Sequence, residues 1–514
     1  LLAGEYPGAR EHDTARWKLE KLVDAGIRQV VNLMEKNERD HAGMAFTPYE
    51  KILAEIAKER NIKTDVRRFP VVDMRCPTPG KMGEILDFID EQMEDRIPVY
   101  VHCWGGIGRT GTVVGCFLIR HGLAHSTNVV EKIRRLRILE ERRHRASPES
   151  RLQQKFIENW HHHESGPPSR LNRYIGCMTG GAVGDALGAP VEFLKTEDIR
   201  QIYGSSGITD YDEAFGRIGA ITDDTQMTLF TAEGLLRAWT RGSLRGVCHP
   251  PSMVYKACLR WLRTQLLEED AGAGSESSLL LGFSELFSRR APGASCQSAL
   301  ESGRMGTPEE PVNNSKGCGG VTRVAPAGLI QGTSEDAFRL GCDLAALTHG
   351  HPTGYLAGGM LAALIHEIRA GSGIADALEK GTRILKSWPQ HEEFLSSVDR
   401  AVTLARKQKP DPESIQSLGK GWVAEEALAI SLFCALGHED DFPAGVLAAV
   451  NHDGDSDSTG AITGNLLGCR LGASSIPAGW TEGLELHELI QAMAVDLFIR
   501  FRDDRAWWER YPGD

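Results

Sequence analysis

The stretch His102-Cys103-Trp104-Gly105-Gly106-Ile107-Gly108-Arg109-Thr110-Gly111 most constrains what this chain can fold into. An apolar run, Ile97 to His102 (IPVYVH), delivers the cysteine, and Thr110 to His121 reads as a helix. Strand, tight loop and helix in that order make an anion cradle, because loop amides and a helix N-terminus converge on one point. A free thiol titrates at about 8.5 and is inert at neutral pH unless such a field favours its anion. Here the backbone N–H groups of Trp104, Gly105, Gly106, Ile107, Gly108 and Arg109 are expected to ring the space above Cys103. Arg109 can grip two oxygens of a bound oxyanion at once, which a lysine cannot. Thr110 can donate to the sulfur, and His102 orders the loop by hydrogen bonding rather than by moving a proton.

The flanking sequence fits a parallel sheet. Ile27 to Met34 and Ile97 to His102 read as buried strands. Thr14 to Ala25, Pro48 to Arg60, Lys81 to Met93, Thr110 to His121, Asn128 to Arg143 and Glu149 to Trp160 read as helices. Strands alternating with helices imply an α/β layer structure. A chain of 514 residues exceeds one core, and the double proline at Pro167-Pro168 marks a break. The expected organisation is an α/β domain over 1–163, a linker over 164–170 and an all-α domain over 171–514. The triplet His161-His162-His163 reads as a solvated linker end rather than a metal site.

Downstream, alanine, leucine and glycine dominate helical stretches. Gly176, Gly180, Gly184 and Gly188 lie on one helical face, and Gly460, Gly464 and Gly468 repeat the spacing. Each glycine inside a helix costs about 1 kcal/mol relative to alanine, so both rows predict a close backbone approach of these two helices to each other. Further helices are expected at Thr225 to Thr240, Gly354 to Ala370, Ile374 to Ser387, Val423 to Leu436 and Leu486 to Arg500, and a low-complexity loop at Glu269 to Ser278. Two acidic clusters stand out, Thr222-Asp223-Asp224 and Asp453-Gly454-Asp455-Ser456-Asp457-Ser458. Oxygen-only clusters suit hard divalent cations such as magnesium, manganese or calcium. An EF-hand starting at Asp453 fails, because its sixth position is Ser458 and its twelfth Gly464. Helix capping accounts for one such cluster but not two.

The formal charge of −12 excludes a general nucleic-acid binder, since no net field attracts a phosphate backbone. No apolar run approaches membrane-spanning length, and Leu1 to Glu5 lack the basic start of a secretory signal. Eleven scattered cysteines suit a reducing compartment, so a cytoplasmic location is expected.

The string from His102 to Gly111 matches the H-C-x5-R-[ST]-G signature of cysteine-dependent phosphatases. Residues 1–160 resemble their dual-specificity branch, supported by Ala3-Gly4-Glu5-Tyr6-Pro7 and Phe69-Pro70-Val71-Val72-Asp73-Met74. That resemblance implies Cys103 as nucleophile, Arg109 and Thr110 as its catalytic partners, Asp73 as general acid and then base, a phosphomonoester substrate and no cofactor. Cys76 could form a protective disulfide with Cys103, although an ordinary loop cysteine is the simpler reading.

Residues 171–510 resemble the ADP-ribosylglycohydrolases, which include the enzyme that reactivates dinitrogenase reductase. The motifs are Gly184 to Phe193 (GDALGAPVEF), Thr222 to Thr225 (TDDT), Asn314 to Gly320 (NSKGCGG), Thr348 to Pro352 (THGHP) and His452 to Gly460. The resemblance implies two divalent metals, magnesium with manganese as the alternative, on Thr222, Asp223, Asp224, Asp455, Asp457 and Ser458. It further implies Glu192 as a gating or assisting carboxylate. Ser315, Lys316, Gly317 and Cys318 would donate to the substrate diphosphate, and His349 would line the ribose pocket. Two cations can orient vicinal ribose hydroxyls for attack at the anomeric carbon. The expected substrate is an ADP-ribosylated protein or an ADP-ribose conjugate. Both domains could erase protein modifications, both could process one small phosphorylated ADP-ribose metabolite, or one could be a non-catalytic binding module.

Overall fold

A computed structural model describes residues 1–40, 42–164, 166–266 and 278–513. The expected low-complexity loop at 269–278 lies almost wholly outside the described residues. Two compact units are present, Leu1–Ser169 and Arg170–Asp514.

The first unit is built on a parallel four-stranded sheet in the order β1-β4-β2-β3. Its strands are β1 (Leu2–Gly4), β2 (Gln29–Asn32), β3 (Asp65–Arg68) and β4 (Val99–His102). β2 and β4 are buried along their whole length, as near-continuous apolar runs predict. The sequence expectation lacked β1 and β3, which are short edge strands. β3 reads DVRR and is mostly exposed, so its charges hide the strand pattern while protecting the edge. The expected helix from Asn128 to Arg143 stops early, at Leu136. Arg137 ends it by donating from Nη1 to the Arg145 carbonyl (2.9 Å) and from Nη2 to the Arg142 carbonyl (3.2 Å), which folds the chain into turns.

The second unit is mainly helical, and the strands among its described residues form a small antiparallel hairpin, β5 (Glu213–Ala214) with β6 (Arg217–Ile218). Its centre is the pair Arg170–Gly188 and Ser456–Leu471. A Cβ added to Gly176 would stand 2.1 Å from the Gly468 carbonyl oxygen. On Gly180 it would stand 2.4 Å from Gly464 O, and on Gly184 2.0 Å from Gly460 O. The pairing runs antiparallel, backbone on backbone, and no side chain fits between. Among the described residues, no helix is long and apolar enough to cross a membrane.

This contact predicts an asymmetric glycine scan. Gly464→Val, whose Cβ would meet Gly180 O at 2.0 Å, is expected to destabilise the second unit by about 3 kcal/mol in urea unfolding. Gly479→Ala, at an open and exposed helical position, is expected to change stability by less than about 1 kcal/mol.

Candidate functional sites

In the first unit, β4 runs directly into Cys103 and the loop is followed by helix Gly108–Arg120. Cys103, Arg109 and Thr110 are all buried. Gly106 carries φ +69°, and a Cβ there would lie 2.4 Å from the Gly4 backbone, so only glycine can turn this corner against β1. His102 donates from Nδ1 to the Cys103 carbonyl at 3.0 Å, which leaves Nε2 to accept from the Tyr49 hydroxyl at 2.7 Å. Burial pushes this imidazole down to about 4, so it stays neutral and braces the loop.

Arg109 is surrounded by oxygen. Nη1 donates to Glu38 (2.6 Å) and to the Val71 carbonyl (3.0 Å), while Nη2 donates to the second Glu38 oxygen at 2.7 Å. Asp73 lies 3.0 Å from Nη2 and is half exposed. Nε is buried with no hydrogen-bond partner, as is the Thr110 hydroxyl. A bound oxyanion would satisfy Arg109 Nε, and departure of the exposed Asp73 would open the Nε–Nη2 edge for a two-point grip. The sequence reading missed Glu38: an acid in a loop after β2 belongs to no motif. Cys76 and Cys103 are both free thiols.

The second site stands where the glycine-packed helices meet a third. Thr222 caps helix Asp223–Arg245, its Oγ1 accepting from Asp224 N at 3.2 Å. Asp185, on the first glycine-row helix, organises that turn. It accepts from Thr222 N (3.0 Å), Thr222 Oγ1 (2.7 Å) and Thr225 N (3.2 Å), and from the Thr225 hydroxyl. Asp224 accepts from Thr322 at 2.7 Å and from Ser458 Oγ at 2.8 Å, joining the two predicted clusters. Asp223 accepts from Gly293 N at 3.2 Å.

Glu192, Asp455 and Asp457 are buried and bring one carboxylate oxygen each within 4.8 Å of one another. Burial first, then the neighbouring Asp455, Asp224 and Asp185 charges, raise Glu192 to about 9. Burial and the Asp185 and Asp455 charges raise Asp224 to about 7. Burial and adjacent carboxylates push Asp223 and Asp457 well up too. Glu192 Oε2 is buried without a hydrogen-bond partner. An oxygen-only cluster with an unanswered acceptor and mutually repelling charges fits a hard divalent cation.

The predicted diphosphate turn is partly committed to itself. Gly317 N donates to Ser315 Oγ at 3.2 Å and Cys318 N to the Trp422 carbonyl at 3.2 Å. Lys316 Nζ pairs with Glu393 at 2.6 Å and with Glu425. Cys318 points its thiol at Asp455 Oδ2, 2.8 Å away. His349 is buried behind the turn, against Gly317 and Gly320, with Nδ1 2.9 Å from the Thr348 hydroxyl. Asp185 lay within a quoted motif without a role, and the structure gives it one.

Fold and sites define a two-part hydrolase, one part phosphatase-like and the other helical with a buried acidic centre. Residues 166–506 match the ADP-ribosylglycohydrolase family, and the chain belongs to that family. Residues 7–123 match a family described as a polymorphic toxin system DSP-PTPase phosphatase. Among curated relatives, the ADP-ribosyl-[dinitrogen reductase] glycohydrolase of Rhodospirillum rubrum is 26% identical over 62% of this chain and 92% of its own length. The ADP-ribosylarginine hydrolase Tri1 of Pseudomonas putida is 25% identical over 65% of this chain and 80% of its own. A solved ADP-ribosylglycohydrolase-related protein complex aligns at TM-score 0.47 and 27% identity, covering 64% of this chain and 98% of that one. Tk-PTP in its active form aligns at TM-score 0.22 and 22% identity, covering 29% of this chain and 86% of that one.

Asp185 gives a direct test of how the acidic centre is held. Asp185→Asn turns one of its two acceptor oxygens into a donor facing the Thr222 and Thr225 groups. Thermal melts with and without magnesium chloride are expected to show a clear metal-induced rise in Tm for the unaltered chain. That rise should shrink by at least half in Asp185→Asn.

Proposed function

We propose that the chain is a bifunctional hydrolase with two independent centres. The first unit cleaves phosphomonoesters through Cys103. Its thiolate attacks phosphorus, the bond to the leaving oxygen breaks, and Asp73 gives that oxygen its proton. Arg109, anchored end-on by Glu38, presents Nε and Nη2 to the phosphoryl oxygens as charge moves onto them. The Thr110 hydroxyl donates to the sulfur when it leaves, and water, deprotonated by Asp73, releases phosphate. The observation that carries this reading is the pair of orphaned donors, Arg109 Nε and Thr110 Oγ1, beside a buried cysteine.

The second unit removes ADP-ribose from modified protein side chains or small conjugates. Thr222, Asp223, Asp224, Asp455, Asp457 and Ser458 would hold two divalent ions, with magnesium the expected species, and Glu192 adds a carboxylate from a separate segment. Such ions supply Lewis acidity toward ribose hydroxyls and the attacking oxygen. The chain's own contribution is placement. Asp185 fixes the Thr222 turn, Ser458 ties Asp224 to the other cluster, and Cys318 buttresses Asp455. The turn over 313–320 would receive the diphosphate, with Lys316 as its cation and His349 as its rear wall. What supports this reading above all is the gathering of Glu192, Asp455 and Asp457 into one buried trio with an unanswered oxygen.

Independence of the centres is testable in one pair of variants. Cys103→Ser is expected to lower release of phosphate from p-nitrophenyl phosphate by at least about a thousandfold and to leave release of ADP-ribose from ADP-ribosylarginine intact. Asp455→Ala, or chelator, is expected to do the reverse. Loss of both activities in either variant would refute the reading.

A further inference from the structure

The charged turn after helix Val129–Leu136 has no role in the chemistry above, yet it leans over the phosphate loop. A Cβ placed on Gly105 would meet one atom within 4 Å, Arg142 Nη1 at 3.9 Å. The loop surface at Gly105 is therefore open, with a guanidinium standing beside it.

That guanidinium is held, not loose. The carbonyl of Arg142 accepts from Arg137 Nη2 at 3.2 Å, and Arg137 also binds the Arg145 carbonyl at 2.9 Å, so the turn has a fixed course. The Arg142 side chain reaches Glu5, Nη2 to Oε2 at 2.5 Å. Glu5 is itself tied to the active-site framework, because its carbonyl accepts from Tyr100 at 2.7 Å and the next amide, Tyr6 N, donates to the Trp104 carbonyl at 2.9 Å. The second Glu5 oxygen accepts from Lys18 at 2.8 Å, and Glu140, 4.0 Å from Arg142 Nε, is engaged 2.5 Å from Arg137. Three cations, Lys18, Arg137 and Arg142, thus face two carboxylates, Glu5 and Glu140. The cluster keeps a net positive charge, and the Nη1 edge of Arg142 faces the loop.

We propose that Arg142 is a second anion subsite, so that the Cys103 centre takes compact phosphomonoesters carrying a second phosphate close to the scissile one. This rests on the phosphatase reading of the first unit and names its substrate class. A nucleoside bisphosphate, with two phosphates on one small scaffold, presents both anions together at little conformational cost. A tandem phosphopeptide must order its backbone and two flexible side chains to present the same pair of phosphates, at an entropic cost for every residue fixed. Pairing with Glu5 sets the strength of the subsite, since the incoming phosphate and that carboxylate compete for one guanidinium.

The test is calorimetric and needs no turnover. Full-length Cys103→Ser protein is titrated with inorganic phosphate, inorganic pyrophosphate, adenosine 3′,5′-bisphosphate and a tandem phosphoserine peptide. Pyrophosphate is expected to bind at least about tenfold more tightly than phosphate, the factor that one charge-assisted hydrogen bond supplies. Adding Arg142→Ala should cut that ratio below about threefold, Arg142→Lys should leave an intermediate ratio, and Glu5→Gln should raise it. Equal binding of the two anions, or a ratio that ignores Arg142, overturns the subsite. The lysine and glutamine variants keep this decisive where the alanine variant fails to fold. Tighter binding of the peptide than of the bisphosphate overturns the small-molecule assignment. Failure of the unaltered chain to hydrolyse p-nitrophenyl phosphate, with the anion ratio intact, defeats the phosphatase reading and leaves the subsite standing.

Discussion

Everything chemical in the second unit depends on two helices touching through their backbones. Gly176, Gly180 and Gly184 face Gly468, Gly464 and Gly460 in antiparallel order, and the row ends where Gly188 meets the backbone of Asp457. Close approach at the glycines brings Asp185, near the end of one helix, and Asp457, at the start of the other, into one small volume. Side chains on those faces would hold the helices apart by the usual 8–10 Å and separate the carboxylates. The glycine rows cost helix propensity, about 1 kcal/mol per residue, and the compensation is a centre that side-chain packing could not make so compact.

The two units present opposite electrostatic problems. In the first, buried donors lack partners: Arg109 Nε and the Thr110 hydroxyl are unanswered, while Glu38 and Asp73 take the rest of the guanidinium. In the second, buried acceptors converge: burial and neighbouring carboxylates push Glu192, Asp223, Asp224 and Asp457 toward their neutral forms, and burial does the same to Asp455. Burying charge of one sign is expensive unless the opposite sign arrives. A site arranged this way binds its counter-charge strongly because the cost of gathering the groups is met when the chain folds.

Much of this was legible because the informative residues are glycines and acids at fixed spacing. A glycine every fourth residue has few explanations, and a second row allows one partner. The cysteine loop was equally plain, since strand, glycines and arginine occur in a single stretch. What stayed hidden has a common physical character. Glu38 and Asp185 act through contacts made by the folded chain, Glu38 with Arg109 and Asp185 with Thr222, and neither lies at a diagnostic distance in sequence from its partner. β3 was masked by its charges, and the helix expected through Arg143 was broken by arginine side chains seeking carbonyls, an interaction that helical periodicity does not register.

In the first unit, Asp73 sits beside a strained residue. Its neighbour Met74 sits at φ +60°, a left-handed conformation that costs a side-chain-bearing residue about 1 kcal/mol or more. That strain lies in the half-exposed segment carrying the acid, while Glu38 takes both Nη nitrogens of Arg109 and the buried Val71 gives its carbonyl to Nη1. The arrangement divides the work. The guanidinium cannot turn, because two of its three contacts come from the interior. The third partner, Asp73, is half exposed beside that strained turn, so it is the one the proposed mechanism exchanges for phosphate. On the proposed mechanism, a rigid anion grip and a movable proton donor follow from how deeply the groups on either side of one arginine are buried.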